Sequence, residues 1–346
     1  MKILFGPTHY ALGVCSVAAM LAGCGGSQGP TVSQGPVIIS QAARGPMPQA
    51  SPLFVPSSKA KPPGWLSPEA IRSAKAVYYI YVADYYNSEI LIYPESGKLQ
   101  SPIGMISSGV ASPWGLYVSQ NADQNANLFV ANSGGNSVTV YPAGSTSPSA
   151  TYSQDLSRPL YPIVDSSGDL FVSNANNGTV VEYPPGSTTP SRVLQTPGNE
   201  ADGMDFDPQG NLYVAYRNSS SYGVGSIEEF AAGSSQGRSL GMTLNQPQGV
   251  IVDKNDNILA VETGGTNRID VFPPGAKTPS LELPTPNGDT PTQLAIFQNE
   301  RELYLSAYSG TVYKTRYPLR SRSSLLTKDD AQTLIQGVAI SNGQTF

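Results

Sequence analysis

Twelve positions of this chain could place chemistry in one spot, because they recur in step with a motif repeated six times. One set is Trp114, Leu160, Asp202, Gln248, Thr292 and Gln336; the other is Asp84, Asn132, Asn174, Tyr216, Glu262 and Ala307. If the two sets converge, they bring together three carboxylates, two asparagines and two aromatic rings. Oxygen ligands of that kind suit a hard divalent cation, and paired carboxylates suit general acid and base work. Asp205, three residues after Asp202, would add a carboxylate to such a set. Trp114 could stack a sugar or an aromatic ligand. Each residue also has a plainer reading. Asp and Asn beside a turn bond its backbone, which suits Asp84, Asn132 and Asn174. Asp202 can serve a strand start, and Trp114 can pack between sheets.

Other chemistries are excluded by position. The single histidine, His9, and both cysteines, Cys15 and Cys24, lie in the first 24 residues. A chain processed there keeps no histidine, so disulfides, His/Cys zinc sites, thiol nucleophiles and His-based triads fall away together. A net charge of -5 argues against nucleic acid, whose binding needs a basic face.

The elements that must position these residues are short strands. Ile80–Asp84, Leu128–Asn132, Leu170–Asn174, Leu212–Tyr216, Ile258–Glu262 and Leu303–Ala307 repeat one phrase at intervals of 48, 42, 42, 46 and 45 residues. That period, with several strands per unit, reads as propeller blades. In the clearest unit, Gln248–Val252 is a first strand and Ile258–Val261 a second. Arg268–Phe272 is a third, and Ser280–Leu283 a short outer fourth. The apolar runs are nearly continuous, as expected where both faces of a sheet are covered. Thirteen per cent charge with 35 glycines and 30 prolines suits many strands joined by tight turns. The last first-strand, Gln336–Ser341, has no second strand after it, and Ile80–Asp84 has no first strand before it. The tail should therefore complete the opening blade. The expected fold is all-β: a six-bladed propeller of four-stranded antiparallel blades over 76–346, closed by the C-terminal strand and monomeric.

The N-terminus is an address. Lys2 precedes an apolar and small-residue run from about Tyr10 to Leu21, too short to span a membrane and of signal-peptide length. Leu21-Ala22-Gly23-Cys24 resembles the lipobox of bacterial lipoproteins. That resemblance implies a signal peptide over 1–23 and lipid attachment at Cys24. With Gly25 rather than Asp next, it also implies the outer membrane. Residues 24–66, rich in Gly, Ser, Pro and Gln, read as a disordered tether with a reach on the order of 35–40 Å. Residues 67–75 read as a short helix or linker opened by Ser67-Pro68-Glu69.

Over 76–346 the phrases resemble the six-bladed NHL-repeat and SMP-30/gluconolactonase-like families. The segment Asp202-Gly203-Met204-Asp205-Phe206-Asp207 is similar to one in which the Asp before Gly-Met binds a divalent metal and serves acid/base chemistry. The resemblance puts that role on Asp202. The matching positions for further ligands hold Gln336, Leu160 and Trp114 instead of Glu and Asn, so one ligand of about four is kept. The repeat also resembles streptogramin-lyase-like propellers, whose chemistry uses a histidine that this repeat region lacks. The expectation is a membrane-anchored, non-catalytic module that needs no cofactor. It would bind a protein, peptide or small molecule at a funnel formed by Asp84, Trp114, Asn132, Asn174, Asp202, Asp205, Gln248, Glu262 and Gln336. The alternatives are a metal-dependent hydrolase or lyase, and a structural envelope role.

Overall fold

Each repeat folds as an antiparallel sheet, and six sheets follow one another around an axis in chain order. The computed structural model describes residues 78–95, 102–119, 126–218, 223–297, 302–319, 327–330 (backbone only) and 335–341. The signal peptide, tether and short helix expected over 1–75 lie outside them.

From the axis outward, blade I consists of Ile335–Ile340, Tyr79–Asp84, Glu89–Pro94 and Gly104–Ile106. Blade II has Pro113–Val118, Leu128–Asn132, Ser137–Tyr141 and Ala150–Tyr152. Blade III has Pro159–Val164, Leu170–Asn174, Thr179–Tyr183 and Arg192–Gln195. Blade IV has Glu200–Phe206, Leu212–Arg217, Val224–Phe230 and Gly237–Ser239, with Leu244–Asn245 added beside Val224 and Gly225. Blade V has Pro247–Val252, Ile258–Glu262, Arg268–Phe272 and Leu281–Pro284, its outer strand one residue later than the sequence suggests. Blade VI has Pro291–Ile296, Glu302–Ala307, Thr311–Arg316 and Thr327–Asp330.

The tail closes the ring. Ile340 pairs with Ile80, Ala339 with Tyr81, Val338 with Val82 and Gly337 with Ala83. Beyond them the Ser341 N–H donates to the Tyr79 carbonyl at 2.8 Å, and the Tyr79 N–H donates to Ser341 Oγ at 2.7 Å. Joining the chain ends this way removes an open inner edge.

The turns follow from their residues. Asp165, Asp207 and Asp253 each accept two backbone N–H bonds across the first hairpin of a blade, at 2.8–2.9 Å. Gly168 and Gly210 supply the left-handed φ of +90° and +85° in two of these turns, and Asp256 takes +60° in the third. Among the described residues the core divides into six apolar clusters, one per blade junction. The second strands are buried along both faces, which is why they read as unbroken apolar phrases.

Candidate functional site

Every inner strand breaks register near its start. The breaks fall at Pro113/Leu116, Pro159/Pro162, Ala201/Met204, Pro247/Gly249 and Pro291/Leu294, and opposite Ala83/Asp84 in blade I. Trp114, Leu160, Asp202, Gln248, Thr292 and Gln336 are the first residues that these bulges leave unpaired. A bulge re-aims its side chain, so one repeated irregularity turns six residues toward one end of the ring. The prolines at 113, 159, 247 and 291 tolerate the place because a strand's first residue owes no ladder donor.

At this mouth the Trp114 ring meets Tyr85 edge-on at 5.8 Å and Tyr308 at 6.4 Å. The guanidinium of Arg158, an exposed residue, lies 5.7 Å from the Trp114 centroid. Tyr308 ties the remaining parts together. Burial raises its hydroxyl pKa; polar contact with Gln248 opposes that, the Asp202 charge adds to it, and Arg217 and Gln336 oppose it. Arg217 is clamped by Glu200 through bonds of 2.8 and 2.5 Å, and its Nη2 stands 3.2 Å from Asp202 Oδ2. Burial pushes the Asp202 carboxyl up to about 7, against the pull of Arg217, with Glu200 raising it further.

Polar groups here are left unmet. Both Asp202 oxygens, Gln248 Oε1, Gln336 Oε1 and Trp114 Nε1 form no hydrogen bond among the described residues. Yet Asp202 is 0% exposed, Gln336 2%, Gln248 5% and Trp114 6%. The Arg217 contact to Asp202 has ion-pair distance without hydrogen-bond alignment. The Trp114 indole faces the Tyr161 hydroxyl, whose proton goes to the Thr292 carbonyl while its oxygen can still accept. Each unmet buried group costs about 1–3 kcal/mol, so several in one place mark a spot built to be filled.

The mouth has a floor. The position after each bulge holds Gly115, Tyr161, Gly203, Gly249, Gln293 and Gly337. Blades III and VI face each other across a ring of six, and they supply the two large residues. The Tyr161 hydroxyl crosses to donate to the Thr292 carbonyl at 3.1 Å. Gln293 reaches over blades I and II: its Oε1 accepts from Val338 N at 3.1 Å and Leu116 N at 3.3 Å, and its Nε2 donates to the Leu116 carbonyl at 2.9 Å. The glycines let backbones close in around these two. A Cβ on Gly337 would lie 2.3 Å from the Trp114 carbonyl oxygen, and one on Gly203 would lie 2.6 Å from Gly249 Cα.

Past this crossing the axial channel holds a cavity of about 350 Å³, bounded by Tyr161 and Gln293 and lined further along by Asp205, Val252, Phe297 and Ile340. Asp205 therefore belongs to this lower compartment. Its Oδ2 accepts from Val252 N at 2.9 Å and its Oδ1 from Phe206 N at 3.0 Å. Burial raises its carboxyl to about 7, with these two bonds opposing.

Of the expected funnel, the mouth gathers Trp114, Asp202, Gln248 and Gln336. Asp84, Asn132 and Asn174 spend their polar atoms near their own loops, and Glu262 turns one oxygen to a loop and the other toward Arg268. Asp84 accepts from Asn87 N at 3.0 Å and Asn87 Nδ2 at 2.8 Å. Asn132 accepts from Ala111 N, and Asn174 from Ser157 N, both at 2.9 Å. Glu262 Oε1 accepts from Asn245 N at 2.9 Å, and its Oε2 lies 3.1 Å from Arg268 without a hydrogen bond. Among the described residues no three His, Cys, Asp or Glu side chains converge as metal ligands. The mouth also uses Tyr85, Arg217 and Tyr308, each one residue beyond the positions that the sequence reading selected. Arg217 ends its strand and faces opposite to Tyr216, whereas Tyr85 and Tyr308 are the first turn residues after their strands.

No known family model matches this chain, and no curated protein matches it. Solved structures do. A crystal structure of a nidogen/laminin complex contains a chain 17% identical, with a TM-score of 0.59 over 77% of this chain and 99% of that one. A protein of unknown function from Bacteroides caccae is 11% identical, with a TM-score of 0.57 over 76% and 98%. Hydrazine synthase of Kuenenia stuttgartiensis is 11% identical, with a TM-score of 0.54 over 72% and 82%. At these identities the likeness is one of fold, and the chain is a six-bladed β-propeller.

Proposed function

We propose that this propeller is an envelope-tethered binding protein, anchored through a lipidated Cys24, that takes a ligand at its mouth without transforming it. The carrying observation is the group of buried, unmet polar atoms on Asp202, Gln248 and Gln336 beside the Trp114, Tyr85 and Tyr308 rings. A fold of this class hosts many activities, so the site decides the reading. The metal-dependent hydrolase finds less support. Asp202 is the sole carboxylate among the six bulge positions, and a hard dication takes six to eight oxygen ligands, with carboxylates prominent among them.

Two experiments test the proposal. Expressed in a bacterium that lipidates such cysteines, Cys24→Ser should abolish labelling by a fatty-acid analogue and release the protein from the membrane fraction; unchanged membrane association would refute the anchor. A screen of small polar solutes by thermal shift should find a class whose stabilisation is lost in Trp114→Ala. Stabilisation of wild type and variant alike would place binding elsewhere.

A further inference from the structure

We infer that the mouth receives the primary ammonium group of a small amine, an inference that rests on the mouth being a ligand site. Apart from the Trp114 indole N–H, which lies beside the Tyr161 hydroxyl, the open atoms there are acceptors: the Asp202 carboxylate and the side-chain carbonyls of Gln248 and Gln336. All three groups are at least 95% buried; Gln248 and Gln336 make polar contact with the Tyr308 hydroxyl, and the Asp202 charge acts on it. A primary ammonium brings three N–H donors from one atom, one for each open group. An alcohol brings a single donor.

Charge agrees with this assignment. Glu200 holds Arg217 through two bonds, so Arg217 reaches only Asp202 Oδ2, at 3.2 Å without hydrogen-bond alignment, and Asp202 Oδ1 stays open to a new cation. The aromatic walls agree as well. Ring faces attract cations within about 6 Å, and Trp114 already carries one in the Arg158 guanidinium at 5.7 Å. Arg158 is exposed and occupies the rim, where it competes for the same face.

The charged and titratable groups around the site are Asp202, Glu200, Arg217, Arg158, Tyr161 and Tyr308. Among them only Asp202 has its ionisation brought to about 7. An ammonium ligand needs it ionised, so affinity should rise by about tenfold from pH 6 to pH 8.

The test is calorimetric titration of the full-length protein with n-butylammonium chloride, butan-1-ol and methyl α-glucoside at pH 6 and pH 8. The expected result is saturable binding of butylammonium, at least tenfold stronger than butan-1-ol and stronger at pH 8. Asp202→Asn should lose it while keeping the far-ultraviolet spectrum of the fold, and Arg158→Gln should tighten it by removing the rival cation. Absence of butylammonium binding at both pH values overturns the inference. If methyl α-glucoside then binds and Trp114→Ala abolishes that, the mouth remains a ligand site for another chemistry. If none of the three binds, the inference fails and the broader reading loses this support. Butylammonium binding that survives Asp202→Asn also overturns it.

Discussion

Above the Tyr161–Gln293 crossing, the axial channel holds Asp202, Gln248 and Gln336 with acceptor atoms unmet. Below it, the same six strands hold Asp205 with two backbone donors, and the crossing itself is made by a Gln293 that forms three bonds. The two carboxyls have the same raised ionisation near 7, since loss of solvent raises both, although Asp205 is only half-buried. They differ in what the protein supplies to them. The lower compartment is complete as folded, whereas the upper one lacks donors that a partner from outside would bring. Enclosure and a raised pKa therefore do not by themselves mark a binding site; several unmet acceptors gathered in one place do.

The harshest way to break the comparison is to remove both halves. Gly337→Val should drive a side chain into the Trp114 carbonyl and the Gln293 carboxamide, where even a Cβ meets oxygens at 2.3 and 2.9 Å. It should cost about 3 kcal/mol or more in denaturant unfolding. A loss below about 1 kcal/mol would mean that the inner strands are not in backbone contact.

A milder pair of substitutions sharpens the contrast. Asp202 and Asp205 each move from 3.8 in the reference state to about 7 when folded. Between those values the unfolded chain binds fewer protons than the folded one. Each group therefore lowers stability as pH rises through that window, and the penalty levels off above about pH 7. Asp202→Asn should raise stability at pH 8 by on the order of 1–3 kcal/mol, with the gain vanishing below pH 4. Asp205→Asn should gain less, because the carboxylate it removes accepts two backbone N–H bonds. Equal gains in pH-dependent melting would erase the distinction between the compartments.

Smaller still, Tyr161→Phe should cost about 1 kcal/mol by leaving the Thr292 carbonyl without its cross-channel donor. No change in melting temperature would argue against the crossing. At the rim, Tyr86 is 62% exposed, and Tyr86→Ser should shift stability by less than about 0.5 kcal/mol.

The ring was legible in the sequence because it is written six times. The repeated phrases, the Asp turns and the unpaired strands at the chain ends each point to the same closure. The mouth was legible only in part. Trp114, Asp202, Gln248 and Gln336 could be read because they share one register position, and a bulge acts on all of them alike. The partner positions went to Asp84, Asn132, Asn174 and Glu262, one step before Tyr85, Ser133, Ala175 and Thr263. Polar residue type drew attention to the loop-facing set, whereas of the following residues Tyr85 reaches Trp114 and Thr263 bonds Gln246, so that set shows no common chemistry. Tyr161 and Gln293 were invisible for another reason. A repeat reading discounts exceptions, and these two are the exceptions to a glycine position.

The most direct test of the account is a high-resolution crystal structure of the protein grown with and without n-butylammonium chloride. The account predicts density for the amine within hydrogen-bond distance of Asp202, Gln248 and Gln336, with Tyr161 and Gln293 still crossing beneath it. A mouth in which those three side chains turn to satisfy one another, and no amine is bound, would contradict it.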